Sequence, residues 1–313
     1  MIIFGSANAL PGLDAGWERI ERGDSAMDAV ETAVRIIEDN LEDHTVGSSG
    51  LANVLGEVEL DASIMDGTTR ATGAIGALHG YAHPISVARA LMTALPHVML
   101  VGAGADAFAH EIGAEKRDLA TAASRELWEA RFRALAVEHP EPGKAVAATN
   151  ALLTYAHAAG TVNIIAVDAQ GHIASAVSTS GWPWKFPGRL GDTPVIGAGN
   201  YADGRHGAAA CTGFGELSIR GVTAYSVVRS MRDGADVVEA CRLSILDLAP
   251  MADPAIDNLT MSIVACSRSG EVAAVSTIPG AEYAVREEGM DRAACRPRLH
   301  VPFHSGEMAN GQG

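Results

Sequence analysis

Residues 157–181 read HAAGTVNIIAVDAQGHIASAVSTSG. An apolar run from Val162 to Val167 begins directly after a Gly-Thr step, and a second apolar run extends from Ile173 to Val177. The four residues DAQG at 168–171 separate the two runs and are typical of a tight turn. Short apolar runs bounded by turn residues predict two neighbouring strands of a buried sheet.

On both sides of this strand pair, the predicted strands follow one another along the chain, and the predicted helices also occur in pairs. Asp24 and Ser25 are good N-cap residues, and the apolar positions that follow predict a helix to about Asn40. This order is not a strict alternation of strand and helix, so it predicts an α+β protein whose sheets are covered by helices. Further strands are predicted near 58–64, 70–78, 207–213, 259–266 and 271–277, and further helices near 84–95, 103–113, 119–137, 216–231 and 235–248.

Composition restricts the class of protein. The 313 residues are 48% hydrophobic and 19% charged, which is enough apolar material for a large core. The formal net charge of -15 argues against binding to nucleic acid or to an anionic membrane surface. No apolar run approaches the ~20 residues that span a bilayer. Four cysteines without metal-site spacing predict free thiols and a cytoplasmic location.

The best candidate for a linker lies before the Gly-Thr step. Residues 138–144 read EHPEPGK, and proline and glycine there discourage regular structure. A linker is therefore predicted over about 138–160, shortly before Thr161.

Several glycine-containing motifs occur in a fixed order, and together they resemble those of the threonine-type N-terminal-nucleophile asparaginases. That family includes the isoaspartyl peptidases or plant-type L-asparaginases and the glycosylasparaginases. The resemblance covers nearly the whole chain. It is carried by Leu60–Gly67, Gly73–Gly76, His83–Arg89, Gly160–Val162, Ser178–Gly181, Gly188–Asp192, Gly197–Ala202 and Thr212–Glu216.

This resemblance implies the fold and the processing of the chain. The expected fold is a four-layer αββα sandwich of the N-terminal-nucleophile hydrolase type, formed by residues 1–313 as a single domain. The expected cleavage site is the Gly160–Thr161 bond, which would give chains 1–160 and 161–313. The expected assembly is a homo-oligomer of cleaved protomers, (αβ)2.

Thr161 is the predicted nucleophile. A threonine hydroxyl needs a base to take its proton, and cleavage before Thr161 would create an α-amino group with a pKa of about 7.7–8. Nucleophile and base would then belong to one residue. Gly160 suits the cleavage step because a residue without Cβ tolerates a strained backbone.

Six further residues complete the predicted site. The resemblance implies that Thr179 tunes the nucleophile and that Thr212 and Gly213 form an oxyanion hole. An arginine fork suits a carboxylate and an aspartate suits an ammonium group, so the α-carboxylate and α-amino group of an aspartyl unit are assigned to Arg189 and Asp192. The carbonyl of Gly215 is expected to help hold the ammonium group.

No cofactor and no metal are predicted, because the eleven histidines are scattered without a ligand pair. The predicted partner is a small molecule or short peptide with a β-aspartyl amide. The expected activity is hydrolysis of that amide, in isoaspartyl peptides, in L-asparagine or in both.

Three departures from the family pattern keep alternatives open. Asn163 stands where a glycine is usual, and the segment WPWKF at 182–186 replaces smaller or more polar residues. Trp182 and Trp184 are predicted either to line the entrance of the substrate pocket or to pack in the core. Ala7-Asn8 stands where glycosylasparaginases carry a tryptophan that meets the sugar, which disfavours a glycosylated substrate. The alternatives are glycosylasparaginase activity and a degenerate, uncleaved binding protein.

Overall fold

The computed structural model describes residues 1–141, 143–153, 160–252 and 259–303. Within these ranges the chain has a mixed α+β fold. The helices are α1 (Leu10–Glu21), α2 (Ala26–Glu38), α3 (Pro84–Ala94), α4 (Ala103–Glu111), α5 (Ala122–Leu135), α6 (Ala145–Leu153), α7 (Gly215–Gly221), α8 (Thr223–Arg232) and α9 (Val237–Leu248). The strands are β1 (Ile2–Ser6), β2 (Leu60–Asp66), β3 (Thr72–Leu78), β4 (Met99–Val101), β5 (Val162–Val167), β6 (Ile173–Thr179), β7 (Asn200–Asp203), β8 (Gly207–Gly213), β9 (Met261–Ser267), β10 (Val272–Ser276), β11 (Glu282–Glu287), β12 (Ala294–Pro297) and β13 (Leu299–His300).

The strands form two sheets. The larger has the order β12-β11-β1-β5-β6-β2-β3-β4, and the smaller has the order β13-β10-β9-β8-β7. The predicted strand pair is confirmed as β5 and β6, which run antiparallel at the centre of the larger sheet. The Asp168 carboxylate accepts the backbone N–H groups of Gln170 and His172 and so fixes the turn between them.

Each face of β5 belongs to a different core. Val162, Ile164 and Ala166 pack with helices α1 to α3 on the outer side of the larger sheet. Ile165 and Val167 pack against residues of the smaller sheet. Because side chains alternate along a strand, the position of Thr161 shares its parity with the second set, towards the space between the sheets.

The smaller sheet also has two differently packed faces. Cys211 and Ile263 pack with helices α8 and α9, whereas Ala210 and Val264 pack with the larger sheet. Both sheets are therefore buried on both faces over their central strands, as their nearly continuous apolar sequences require.

Two local predictions can be compared directly with the structure. The N-cap at Ser25 is confirmed, since its side chain accepts the Asp28 N–H and the Asp28 carboxylate accepts the Ser25 N–H. The single helix predicted near 216–231 is wrong in one respect. It is divided into α7 and α8 at Val222, whose φ of 47° lies in the left-handed region.

The predicted linker over 138–160 contains a helix and is corrected accordingly. Helix α6 occupies Ala145–Leu153, a stretch of nine residues rich in alanine and leucine, which favour a helix. The proline and glycine that suggested a linker precede this helix. Residues 142 and 154–159 of the predicted linker lie outside the described residues.

Among the described residues, no helix is both long enough and apolar enough to cross a lipid bilayer.

Candidate active site

Thr161 lies at the start of β5, beside Thr179 at the end of β6. Val162 pairs with Ser178, which places the two threonines next to each other on adjacent strands. The Thr161 hydroxyl donates a hydrogen bond to Thr179 Oγ1 at 3.3 Å. Thr179 is buried and Thr161 is half-buried, so a substrate can reach Thr161.

The Thr179 hydroxyl has a complete set of partners. It accepts the Gly181 N–H at 3.0 Å and the Thr161 hydroxyl, which together use both of its lone pairs. Its single proton faces two carbonyl oxygens, that of Thr45 at 3.3 Å and that of Gly160 at 3.2 Å. Thr179 therefore contacts both the predicted nucleophile and the carbonyl of the predicted scissile bond.

Gly160 lies against a loop that the sequence did not predict to take part in the site. A Cβ at position 160 would approach Thr45 Oγ1 to 2.8 Å, closer than real Cβ contacts. The Thr45 N–H and hydroxyl both donate to the Asp43 carboxylate, whose other oxygen accepts from Asn8. These bonds hold Thr45 firmly, so only glycine fits at position 160 without displacing it.

Thr212 and Gly213 end strand β8 and reach the same place from the smaller sheet. Their partners on β9 are Ser262 and Met261. Gly213 has a φ of 123°, and a Cβ there would collide with the Thr260 carbonyl, so glycine is required. Thr161 and Gly213 line the same two cavities, which brings the predicted oxyanion residues to the nucleophile.

Arg189 is held in place on two sides. Its Nε and Nη2 donate to the two carboxylate oxygens of Glu216 at 2.9 and 2.8 Å. Its guanidinium plane lies over the Trp182 ring, 4.4 Å from the centroid, and Trp182 in turn contacts Phe214. Since Glu216 uses one edge of the guanidinium fork, the edge formed by Nη1 and Nη2 is the one that a substrate carboxylate could bind.

Asp192 is buried next to Gly215. Its Oδ2 is buried without a hydrogen-bond partner among the described residues. Burial raises the pKa of Asp192 to about 6, although the nearby Arg189 guanidinium acts in the opposite direction. A Cβ on Gly215 would lie 2.9 Å from Asp192 Oδ1, so the glycine is required by this close approach. An ammonium group is the partner that the bare carboxylate oxygen lacks.

A buried ionic cluster lies behind these residues. Lys185 Nζ is 3.7 Å from a Glu59 carboxylate oxygen and 4.0 Å from one of Asp61. A Cβ on Gly181 would come within 2.8 Å of Lys185 Nζ, so the cluster lies directly behind the glycine that donates to Thr179. Glu59 also accepts the Gly188 N–H at 2.7 Å, which ties the loop carrying Arg189 to the residue just before strand β2.

Two cavities meet at Thr161. The first, which we call the cleft, has an empty volume of about 240 Å³ including open solvent and is lined by Thr161, Thr179, Trp182, Arg189, Asp192 and Gly215 among others. The second, which we call the groove, has an empty volume of about 1400 Å³ including open solvent. Its lining includes Ala7, Asn8, Asp43, Gly160, Thr161, Thr212 and Arg298. The structure thus brings all the predicted site residues to these two adjoining cavities.

The departures from the family pattern have separate locations. Trp182 lines the cleft, whereas Trp184 packs against the cluster that contains Phe132, so only Trp182 lies at the site. Asn163 is fully buried, and it exchanges hydrogen bonds with the Ser6 backbone N–H and hydroxyl. Ala7 lines the groove with a small side chain.

Another cavity lies at the far end of β5, beside Asp168. Asp168 lies six residue steps along the chain from Val162, which corresponds to roughly 20 Å of strand. The guanidinium group that lines this cavity, that of Arg89, is paired with both Asp28 and Glu31. The guanidinium group of this cavity is therefore already paired and offers no free cation to an anionic ligand. Among the described residues, no group of three or more potential ligands could hold a metal ion.

Three residues of the site were missed by sequence reasoning. Glu216 stands in a motif that was recognised, and its spacing from Arg189 gave no sign that the two pair. Thr45 and Lys185 carry no local signal, because their contacts at the site reach across more than a hundred residues.

Comparison with known proteins identifies the family of the chain. The family model described as asparaginase matches residues 10–293. The chain is 36% identical to the N(4)-(β-N-acetylglucosaminyl)-L-asparaginase of Elizabethkingia miricola over 88% of this chain and 78% of the relative. It is 36% identical to the plant-type L-asparaginase of Thermococcus kodakarensis over 88% of each chain. It is 35% identical to the isoaspartyl peptidase of Escherichia coli K12 over 76% of this chain and 73% of that relative.

The match covers strands and helices on both sides of Thr161 and includes every residue placed at the cleft. The relatives carry the names of hydrolases with three different amide substrates. The chain therefore belongs to the asparaginase family and is a hydrolase.

Proposed function

We propose that this chain is an autoprocessed amidohydrolase that cleaves the side-chain amide of β-aspartyl compounds, namely isoaspartyl peptides, L-asparagine or both. The observation that carries the proposal is the convergence of Thr161, Arg189 and Asp192 on one small cleft. The nucleophile suits the side-chain amide carbonyl of an aspartyl unit, the cation suits its α-carboxylate, and the carboxylate suits its α-ammonium group.

Processing would begin with attack of Thr161 Oγ1 on the carbonyl carbon of Gly160. The C–N bond breaks, the acyl group passes to the Thr161 oxygen as an ester, and the hydroxyl proton passes to the nitrogen, which becomes the α-amino group of Thr161. Water then hydrolyses the ester and releases the new carboxylate of Gly160. Thr179 supports this step, since its hydroxyl contacts both the attacking oxygen and the carbonyl oxygen.

Turnover would use the same oxygen with the new amine as its base. The amine takes the proton of Thr161 Oγ1, and the oxygen attacks the side-chain carbonyl of the substrate. The Thr212 hydroxyl and the Gly213 N–H would stabilise the oxyanion. The leaving nitrogen takes the proton from the amine as the C–N bond breaks. Water then hydrolyses the acyl-enzyme, and aspartate leaves.

The aspartyl unit would be oriented by Arg189, Asp192 and Gly215. The free edge of the Arg189 fork suits the α-carboxylate, and the bare Asp192 Oδ2 suits the α-ammonium group. The cleft is narrow, so the group on the far side of the scissile amide would lie in the groove. Free asparagine, isoaspartyl peptides and larger amides would differ only there.

The alternative of glycosylasparaginase activity has a relative of that name in its favour. The small side chain of Ala7 at the groove disfavours it, because no aromatic ring at that position can contact a sugar. The second alternative, an uncleaved binding protein, is disfavoured by the hydrogen-bonded contact of Thr161 with Thr179 and by the lack of room for a side chain at Gly160.

We further propose the four-layer αββα arrangement with residues 1–313 as one domain. The three cores support it, since helices cover the outer face of each sheet and the inner faces pack on each other. Cleavage into 1–160 and 161–313, the (αβ)2 assembly, the absence of cofactor and metal, and the cytoplasmic location remain predictions.

The test is cleavage and turnover by Thr161 variants. We expect the wild-type protein to give fragments of 160 and 153 residues by intact mass, the second being the remainder of 313. Thr161→Ala should stay full-length and release no aspartate from asparagine or an isoaspartyl dipeptide. Thr161→Ser is the matched control, because it keeps a hydroxyl, and it should still split. Cleavage of the alanine variant at the same bond would refute the role of Thr161.

A further inference from the structure

Arg298 is a buried cation in the groove beside Thr161. Only 9% of its surface is exposed, and its side chain contacts three backbone carbonyls. Nε donates to the Glu282 carbonyl at 2.8 Å, and Nη1 donates to those of Ile263 and Val275 at 3.1 and 3.3 Å. Within the described ranges no carboxylate lies within 4.0 Å of its nitrogens, so its charge is not neutralised by an ion pair.

The other charged groups of the groove do not remove this imbalance. Asp43 accepts hydrogen bonds from Asn8 and Thr45 and is held away by them. Glu42 and Glu282 are exposed at the rim, where water screens them. Burial lowers the pKa of Arg298 to about 10, which still leaves it charged at neutral pH. An anion entering the groove would therefore find a desolvated positive charge.

The strand register brings Arg298 near the predicted oxyanion hole. Its Nη1 contacts the carbonyl of Ile263, which pairs with Cys211, the neighbour of Thr212. One strand spacing and one residue step separate Thr212 from Ile263, which is roughly 6 Å. In a leaving amino acid the carboxylate lies roughly 4 Å from the scissile carbonyl carbon. These lengths allow the two charged groups to meet.

We propose that Arg298 is a specificity-determining residue that binds the carboxylate of the leaving group. The preferred substrates are then β-aspartyl peptides that release an amino acid with a free α-carboxylate. Substrates with a neutral leaving group, among them asparagine and glycosylated asparagine, lack this contact. The inference rests on the proposed function, because it assigns the group that lies beyond the amide cleaved by Thr161.

The experiment compares two substrates that differ in one charge. Purified, processed enzyme is assayed for kcat/KM with β-aspartylglycine and with β-aspartylglycinamide, with released aspartate as the readout. We expect the wild-type enzyme to prefer the acid, roughly 10-fold or more, as for a charged partner in a desolvated site. Equal rates or a preference for the amide would overturn the proposal without any variant.

Variants locate the effect at Arg298. Arg298→Met should lose the acid-to-amide ratio, and Arg298→Lys should retain part of it because it keeps a positive charge. The ratio within one variant cancels losses from impaired folding, which affect both substrates equally. Arg296→Met is the matched control. That arginine is paired with Glu287, so its removal should leave the ratio at the wild-type value. A ratio that survives in Arg298→Met would refute the assignment.

The outcomes also separate this inference from the proposed function. Processed enzyme that hydrolyses both peptides without discrimination refutes only the role of Arg298. Processed enzyme that hydrolyses neither peptide nor asparagine refutes the proposed function itself.

Discussion

Replacing Asp192 by asparagine should stabilise the folded chain at neutral pH while removing activity. Burial raises the pKa of this carboxyl group from an ordinary 3.8 to about 6. Each pKa unit corresponds to about 1.4 kcal/mol, so the ionised Asp192 costs the folded state about 3 kcal/mol. A bound substrate ammonium group would offset this cost, and asparagine at the position avoids it because it carries no charge.

The sign of the pH dependence follows from the two pKa values. Between pH 3.8 and about 6 the folded state holds a proton on Asp192 that the unfolded state has lost. The stability of the wild-type chain relative to Asp192→Asn therefore falls as the pH rises through this window, and it stays constant above it. We expect the two chains to have similar free energies of unfolding near pH 4. Near pH 7.5 the free energy of unfolding of the variant should be higher by about 3 kcal/mol.

The assay is urea unfolding at several pH values, with both chains in a Thr161→Ala background so that neither is cut. Asp203→Asn is a control of opposite sign. Arg205 lowers the pKa of Asp203 to about 2, so removing this carboxylate should destabilise the chain at neutral pH. The reasoning would be refuted if the difference in free energy of unfolding between Asp192→Asn and its parent stayed the same from pH 4 to pH 7.5. A variant that is less stable than its parent at pH 7.5 would do the same.

Further predictions concern the side chains that hold the substrate. Arg189→Ala should lower kcat/KM for any aspartyl substrate roughly 10²–10³-fold while processing survives, because the scissile peptide has no free α-carboxylate. Glu216→Gln should lower kcat/KM less than Arg189→Ala does, because it only loosens the arginine. Unchanged kcat/KM in both variants would contradict the assignment of Arg189 to the substrate carboxylate. Trp182→Ala should reduce asparagine and isoaspartyl dipeptide hydrolysis alike, because Trp182 stacks on Arg189. Trp184→Ala should instead lower the free energy of unfolding, by up to about 3 kcal/mol, and leave kcat/KM unchanged. Reduced kcat/KM with unchanged stability would place Trp184 at the site.

Local sequence patterns were sufficient to place Thr161, the predicted nucleophile, at the start of a strand. The β5 strand has the bounds that its apolar run predicted, and β6 begins with its apolar run at Ile173 and extends two residues beyond it, to Thr179. Thr161 therefore falls where a strand begins, next to Thr179. The helix capped by Ser25 was also predictable, since a capping box involves residues only three apart.

Short strands were not predictable in the same way. Strand β7 has four residues, β12 has four and β13 has two. Such segments are too short for alternation to be recognised, and their place in a sheet depends on the neighbour that pairs with them. Helix α6 was also missed. The proline and glycine before it indicated a linker, although its own alanines and leucines favour a helix.

The sequence by itself determined which residues are the candidates for the chemistry: Thr161 before an apolar strand, glycines where a side chain cannot fit, and an arginine and an aspartate in one turn. Only the tertiary structure decided how they are held. Glu216 orients Arg189, Thr45 approaches Gly160, and Arg298 lies in the groove with no carboxylate partner in the part of the chain that the structure describes. The physical reason is that propensity and periodicity act over a few residues. These contacts join segments far apart in the chain, and they exist only once the two sheets have packed together.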